Sequence, residues 1–466
     1  MNNNIILNIF VLSVLIVLVF GQTGNTTTSV SDSEPWWGPI EAKSTYNTGI
    51  RPFKIKFTKE MINDLKERIN NRRAVSPPLQ GTGFEYGFNT NVLDEWMDYW
   101  ANGYNFKKRE KYLNRFPQYI TNVQGLDIHF IWVKPKVPRD IPVVPLLLMH
   151  GWPGSVREFY EAIPILTSAC ARKGFAVEVI VPSLPGFGFS SGAVRPGLSH
   201  IEIATVFRNL MHRLGFKQFY AQGGDFGALI AQNIATLYPE DLLGYHSNLA
   251  ISFSPASFVL WFFGSFGSAI QNLVVDPAQA DRLYPITSNL KFLIETSGFL
   301  HAQATTPDTL GVGMSDSPSG LLAHILQSFS TGSRRSYLSR SDGGLHELFT
   351  REELIDNLMF YWAPNSYTTA IRIYAETSNM NTVQRGLFGV PTEVPVWTVH
   401  SKDELVYHSP AMLKFKFPNL LNSTVLDDYG HFLAMEEPKL FADNVMTAIA
   451  AFRKFHAAKN NVKCEL

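Results

Sequence analysis

The feature that most restricts what this chain can fold into is residues 143–149, Val-Val-Pro-Leu-Leu-Leu-Met, a nearly unbroken apolar run. A strand with one wet face alternates apolar and polar residues, whereas a strand covered on both faces reads as continuous hydrophobics. The run predicts a strand deep in a sheet, with helices on both sides. Its neighbours agree. Residues 128–133 and 176–181 read as strands and 218–222 as a short one, with helices at 159–170, 201–214 and 227–237. Strand alternating with helix predicts a parallel α/β sheet. The alternation stops near Leu249. Residues 251–386 are helical and aromatic, without a buried strand. Strands return at 394–400 and 425–428, followed by a closing helix at 441–452. The economical arrangement is one sheet interrupted by a helical insertion that lies over it as a cap.

The chain has 466 residues, 45% of them hydrophobic and 17% charged, which is enough apolar material for a large core and excludes a mainly disordered protein. Basic and acidic residues balance at 40 each, so no overall charge argues for nucleic acid or acidic lipid. The two cysteines, Cys170 and Cys464, form neither a metal-ligand spacing nor a disulfide framework. No metal or cofactor is expected, and the chemistry has to come from other side chains.

Residues 5–20 are almost wholly apolar, broken only by Asn8 and Ser13, and address the chain to a membrane system. Two readings stay open for them, a cleaved signal and a permanent anchor slightly shorter than a full span. No Lys or Arg precedes Lys43, so charge gives no orientation. Sequons stand at Asn25 and Asn422. Residues 22–34 read as a polar tether, and Pro35-Trp36-Trp37-Gly38-Pro39 as the start of ordered structure. Helices are predicted at 58–70, with Thr58 as cap, and at 93–104. The resulting division is a membrane segment (1–21), a tether and meander (22–125), a first core part (126–250), a cap (251–390) and a second core part (391–466).

The chemistry concentrates at strand ends. Gly223-Gly224-Asp225-Phe226-Gly227 lies between a short strand and a helix of small residues, the setting of a nucleophile elbow. Such a turn is crowded and favours glycine on either side. The same Asp also fits a helix N-cap. His150-Gly151-Trp152-Pro153-Gly154 follows the strand at 143–149 and can aim backbone N–H groups at an oxyanion. Near the C-terminus, Asp428-Tyr429-Gly430-His431-Phe432 precedes the last helix, and Asp403-Glu404 follows the strand ending at His400. The chain order is nucleophile, acid, base, as in α/β-hydrolases.

An Asp at the elbow suits an epoxide. Serine attack would leave an ether, which water does not readily cleave. Carboxylate attack leaves an ester. Asp225 needs no base for that step. His431 would then activate water, oriented by Glu404 or Asp403, with the N–H groups of Trp152 and Phe226 holding the oxyanion. The departing oxygen needs an acid, for which Tyr374 on the cap is a candidate.

These segments resemble the microsomal epoxide hydrolase family, especially the insect juvenile hormone epoxide hydrolases. The likeness covers nearly the whole chain. It includes the Trp-Trp-Gly segment at 36–38, His-Gly-Trp-Pro-Gly-Ser at 150–155, residues 182–190, Asp316-Ser317-Pro318 and the elbow. The resemblance implies an α/β-hydrolase fold with a helical cap, an N-terminal meander and a retained anchor in the endoplasmic reticulum membrane. It implies Asp225 as nucleophile, His431 as base, Glu404 as acid partner, Tyr374 as proton donor and an apolar epoxide as substrate. Two residues depart from the family pattern. Phe299 stands where a second cap Tyr is usual, and Phe226 where Trp is common. A Phe at 299 removes one donor to the epoxide oxygen. Besides an active hydrolase, it leaves a weakly catalytic binding protein for apolar epoxides as an alternative. A third reading is another Asp-nucleophile hydrolase, such as a haloalkane dehalogenase, which the long lead-in opposes.

Overall fold

A computed structural model describes residues 35–168 and 174–464. The apolar segment at 5–20, the sequon at Asn25, the tether and Cys170 lie outside the described residues.

Nine strands form one sheet: β1 (Arg51–Phe53), β2 (Gln118–Val123), β3 (Leu126–Val133), β4 (Val143–Met149), β5 (Ala176–Pro182), β6 (Phe219–Gly223), β7 (Leu242–Ser247), β8 (Val396–His400) and β9 (Leu420–Val425). Their order is β1-β2-β3-β5-β4-β6-β7-β8-β9. From β5 to β9 all neighbours are parallel, while β1, β2 and β3 add an antiparallel edge beside β5. Leu146, Leu147 and Leu148 in β4 are all fully buried. Consecutive strand residues face opposite sides, so both faces of the sheet are covered there. The covering helices pair as His200–Arg213 with Asp225–Leu237, and Ala162–Ser168 with Pro438–Cys464.

Three strand expectations need correction. β9 lies at Leu420–Val425, and residues 426–428 are outside any strand. It is an edge strand whose Asn422, Ser423 and Thr424 are only partly buried, so its apolar signal is weak. The sequon at Asn422 falls within it. β7 was not expected, because Gly244 and His246 interrupt its apolar run. The antiparallel β1 and β2 were likewise hidden in the lead-in. The helix expected at 93–104 is α-helical over Leu93–Asp98 and then widens to a π-turn at Tyr99–Gly103.

Between β7 and β8 every regular element among the described residues is helical. This cap is bonded to the core by buried polar groups. Asp356, on helix Arg351–Trp362, accepts from the Tyr104 hydroxyl at 2.9 Å, Arg109 Nε at 2.9 Å and Arg157 Nε at 3.1 Å. One carboxylate thus joins the lead-in, the loop after β4 and the cap. On the same helix, Asn357 donates to the Pro153 carbonyl at 2.8 Å, and the Tyr361 hydroxyl to the Gly154 carbonyl at 2.7 Å. Trp37, buried, anchors the start of the lead-in, its backbone N–H donating to the Gln124 carbonyl at 2.8 Å.

Removing one partner of a buried ion pair strands the other charge, at a typical cost of about 3–5 kcal/mol. Asp356→Ala is therefore expected to lower the unfolding free energy, measured by denaturant titration, by that order. Asp356→Asn, which keeps one acceptor, should lose less. Equal stability of Asp356→Ala and the parent would remove the carboxylate as the tie.

Candidate active site

The site is built at the C-terminal ends of β4, β6, β8 and β9. β6 ends at Gly223, and helix Asp225–Leu237 begins almost at once. The turn forces Asp225 to φ +50°, a left-handed conformation rare for a residue with a side chain. Its neighbours have no room for one. A Cβ on Gly227 would lie 2.1 Å from the Met149 carbonyl oxygen, and on Gly223 2.2 Å from that of Gly227. The helix start is pressed against the end of β4, which brings the 150–154 turn beside Asp225.

The Trp152 N–H donates to Asp225 Oδ1 at 2.9 Å, and the Phe226 N–H is directed at the same carboxyl. Both backbone donors expected at an oxyanion therefore converge on Asp225. His431 lies on the turn after β9, with Nε2 3.6 Å from Asp225 Oδ2 and Nδ1 2.7 Å from Glu404 Oε1. Glu404, on the turn after β8, makes this contact, and Asp403 instead offers its backbone N–H to the Tyr429 carbonyl at 3.1 Å. The Leu405 N–H steadies Glu404 Oε1 at 2.8 Å. The base is also held from above, its backbone N–H donating to Gly332 of cap helix Pro318–Ser333 at 2.7 Å.

Burial opposes a charge on His431, but Glu404, Asp225 and Glu158 outweigh it and push its pKa up to about 10. Asp225 is raised, because burial outweighs the help of His431 and the two N–H groups. Glu158 was not singled out in the sequence. Its carboxyl packs over the Cα of Gly154, where a Cβ would meet Oε1 at 1.6 Å. Burial raises Glu158 to about 8, with His431 opposing, the charge on Asp225 adding and the Gly151 N–H opposing. A carboxyl nine residues beyond Met149 carries no motif, and only the folded turn reveals it.

The cap closes the site with aromatic rings. Tyr374, on helix Tyr367–Ser378, stands edge-on to Phe226 at 4.7 Å and to Trp152 at 5.9 Å between centroids. Burial, reinforced by the charge on Asp225, holds its phenol well above the usual range, so it stays protonated. Phe299 stacks on Trp152 at 5.1 Å and lies edge-on to Tyr374 at 6.3 Å. The ring without a hydroxyl is thus in the site, where the resemblance expects the second phenol.

The charges make one measurable demand. Asp225→Asn removes a carboxylate that supports the imidazolium, so the titration midpoint of His431 should fall from its raised value. The His431 ring signal followed by NMR against pH reads this directly. An unmoved midpoint would mean that Glu404 alone holds the proton.

Comparison with known proteins accords with this geometry. Residues 50–159 match the family described as epoxide hydrolase N terminus, and residues 144–438 the alpha/beta hydrolase fold. The chain is 50% identical over 435 residues to juvenile hormone epoxide hydrolase of Bombyx mori, covering 93% of each chain. It is 37% identical to epoxide hydrolase 1 of Sus scrofa, covering 88% of this chain and 91% of the other. The crystal structure of the silkworm juvenile hormone epoxide hydrolase superposes with a TM-score of 0.89, covering 91% of this chain and 99% of that one. The Aspergillus niger epoxide hydrolase, 24% identical with a TM-score of 0.72 over 88% of this chain and 97% of that one, shares the fold. Over nearly all of its described length, then, this chain belongs to the epoxide hydrolases built on the α/β-hydrolase fold.

Proposed function

We propose that this epoxide hydrolase converts an apolar epoxide, juvenile hormone or a foreign arene or alkene oxide, to its diol through an ester on Asp225. The observation that carries the proposal is the Asp225 carboxyl held by the Trp152 and Phe226 N–H groups, with the His431–Glu404 pair facing it. The hormone as substrate is supported by the relatives of that name, and a wider choice of epoxide by the likeness to relatives named only as epoxide hydrolases.

In the first step an Asp225 oxygen bonds to an epoxide carbon, the ring C–O bond breaks, and its electron pair takes the Tyr374 proton. The ester carries no charge, so His431 loses one of its supporting carboxylates, its pKa falls and it yields its proton to solvent, leaving the neutral imidazole the next step needs until Asp225 is again a carboxylate. Water gives His431 a proton and adds to the Asp225 carbonyl carbon. The N–H groups of Trp152 and Phe226 hold the resulting oxyanion. Collapse releases the diol oxygen, which takes the proton from His431. The new Asp225 acid returns its proton to the Tyr374 phenolate. Glu404 orients the imidazole and balances its charge. The relatives give no support to the weakly catalytic binding protein, and the matched epoxide hydrolase N terminus disfavours a haloalkane dehalogenase.

The test is a single turnover in 18O-labelled water. The label is expected in Asp225 and absent from the diol, and Asp225→Asn should form no diol. Label in the diol after one turnover would mean direct attack by water. The missing phenol gives a second prediction. Removing one preorganised donor typically costs ~10²-fold in rate, so Phe299→Tyr should raise kcat by roughly tenfold or more. An unchanged kcat would mean that Tyr374 suffices for the oxygen.

We further propose that the enzyme works at the endoplasmic reticulum membrane. No helix among the described residues is long and apolar enough to cross a bilayer. Support comes from the apolar segment at 5–20 and from one face of the cap. No charged residue occurs from Ser247 to Val275, and Phe262, Phe263 and Phe266 there are 57%, 52% and 63% exposed. An uncharged aromatic face suits the lipid interface. Replacing these three Phe by Ser in a chain beginning at residue 35 should lower its flotation with phosphatidylcholine vesicles about tenfold. Equal flotation of the two proteins would remove the cap from the membrane contact.

A further inference from the structure

Glu404 has a neighbour of opposite charge, supplied by the cap, that the proposed reaction does not use. Arg282 ends the short helix Pro277–Arg282, and its Nη2 donates to the Ser401 carbonyl at 2.6 Å. The backbone N–H of Glu404 donates to the same oxygen at 3.3 Å. The guanidinium and the Glu404 backbone are therefore separated by no more than two hydrogen bonds that meet at one acceptor. The Arg282 Cζ also lies over the Tyr407 ring, 4.2 Å from its centroid. The next two cap residues, Leu283 and Tyr284, are buried in one apolar cluster with Tyr407 and Met412. The guanidinium is thus fixed against the turn after β8 by a hydrogen bond, a ring face and the packing of the residues that follow it.

The charges on this turn give that cation a role. Glu404 Oε1 is occupied by His431 Nδ1 and the Leu405 N–H, while Oε2 is buried and has no hydrogen-bond partner among the described residues. Balance for the carboxylate therefore has to come through space. Burial lowers the Arg282 pKa, with the charges of Tyr407 and Glu404 opposing, yet a guanidinium stays charged. Around it stand Asp281, its chain neighbour, and Arg335 of the cap, a like charge itself drawn to Asp403 and Asp281. From the core, His400 is pushed down to about 3 by burial and is neutral, and burial keeps the Tyr407 phenol protonated. On the other side of Glu404, His431 also faces Asp225 and Glu158. Ester formation removes the charge of Asp225 alone. Glu404 still favours the imidazolium, whereas the water step needs the neutral ring.

We infer that Arg282 is a positioning residue for the base: from the cap it holds the Glu404 turn and offsets part of that carboxylate's charge, so that His431 can release its proton once the ester has formed. This rests on the reading in which His431 activates water. A unit charge beyond a carboxylate, screened as charges near a protein surface are, shifts the neighbouring ring by about one pH unit. The arrangement also ties the strength of the base to the seating of the cap. With residues 277–284 displaced, Glu404 would act unopposed and the imidazolium would persist.

The effect is read on Asp225→Asn, whose uncharged side chain stands in for the ester and which needs no turnover. The His431 ring signal is followed by NMR against pH. Adding Arg282→Gln, which keeps a donor for the Ser401 carbonyl but no charge, should raise the His431 midpoint by about one pH unit. Arg282→Met, which keeps an apolar stem over Tyr407, should raise it equally, and Arg282→Lys should leave it near the Asp225→Asn value. With Asp225 intact, Arg282→Gln should move the acid limb of the kcat profile upward, so that kcat falls more at low pH than at high pH. A midpoint that stays or falls, or that moves as far with Lys as with Gln, would overturn the role. So would a kcat lowered equally at every pH, the mark of a purely structural residue. Failure of the hydrolase reading would appear separately, as an absence of diol with the parent enzyme.

Discussion

Everything in the site depends on how closely the start of helix Asp225–Leu237 approaches the end of β4. The contact is backbone on backbone, with the Gly227 Cα against the Met149 carbonyl. It leaves no space for a methyl group at 223 or 227, and it holds Asp225 in a conformation that L-residues avoid. In return the carboxyl is pushed free of its own backbone and into reach of the Trp152 N–H from the neighbouring strand end. A looser junction would separate nucleophile from oxyanion donor, whatever side chains were present.

Around that junction the charges are arranged as a shared burden. Three carboxyl groups, Asp225, Glu158 and Glu404, face one imidazole in a space that water barely reaches. Burial alone would keep His431 neutral, and the surrounding carboxyls reverse that. The group that must act as a base therefore rests as the imidazolium, and it gives up its proton only once the carboxylate it faces has become an ester. Tyr374 is governed by the same field with the opposite chemical outcome, since the nearby negative charge keeps its proton in place until an alkoxide asks for it.

How much of this the sequence made legible follows from how local each signal is. The buried strands β4 and β5 and the elbow announce themselves, because apolar continuity and flanking glycines are written in adjacent residues. The edge of the sheet does not. β9 carries Asn422-Ser423-Thr424, β7 is broken by Gly244 and His246, and β1 spans only three residues, so pairing with neighbours, absent from the sequence, decides their state. The choice of Glu404 over Asp403 came from resemblance, and the contact with His431 Nδ1 gives it a geometric basis. Glu158 belongs to no spacing pattern, and it meets Asp225 and His431 only because the loop after β4 folds its carboxyl against Gly154.

The bonds between cap and core bear on traffic in and out of the pocket. The turn that supplies the Trp152 N–H is fastened to helix Arg351–Trp362 through Asn357 and Tyr361, and the loop that carries His431 is fastened to helix Pro318–Ser333 through Gly332. A cap secured at both points cannot lift away as a rigid lid without pulling the donors and the base out of alignment. Helix Ile286–Thr296 has no fully buried residue, and Gly298–Thr305 has only Gln303. Admission of a long apolar molecule, and escape of its more polar product, must therefore draw on the give of these lightly seated helices while the rest of the cap stays in register.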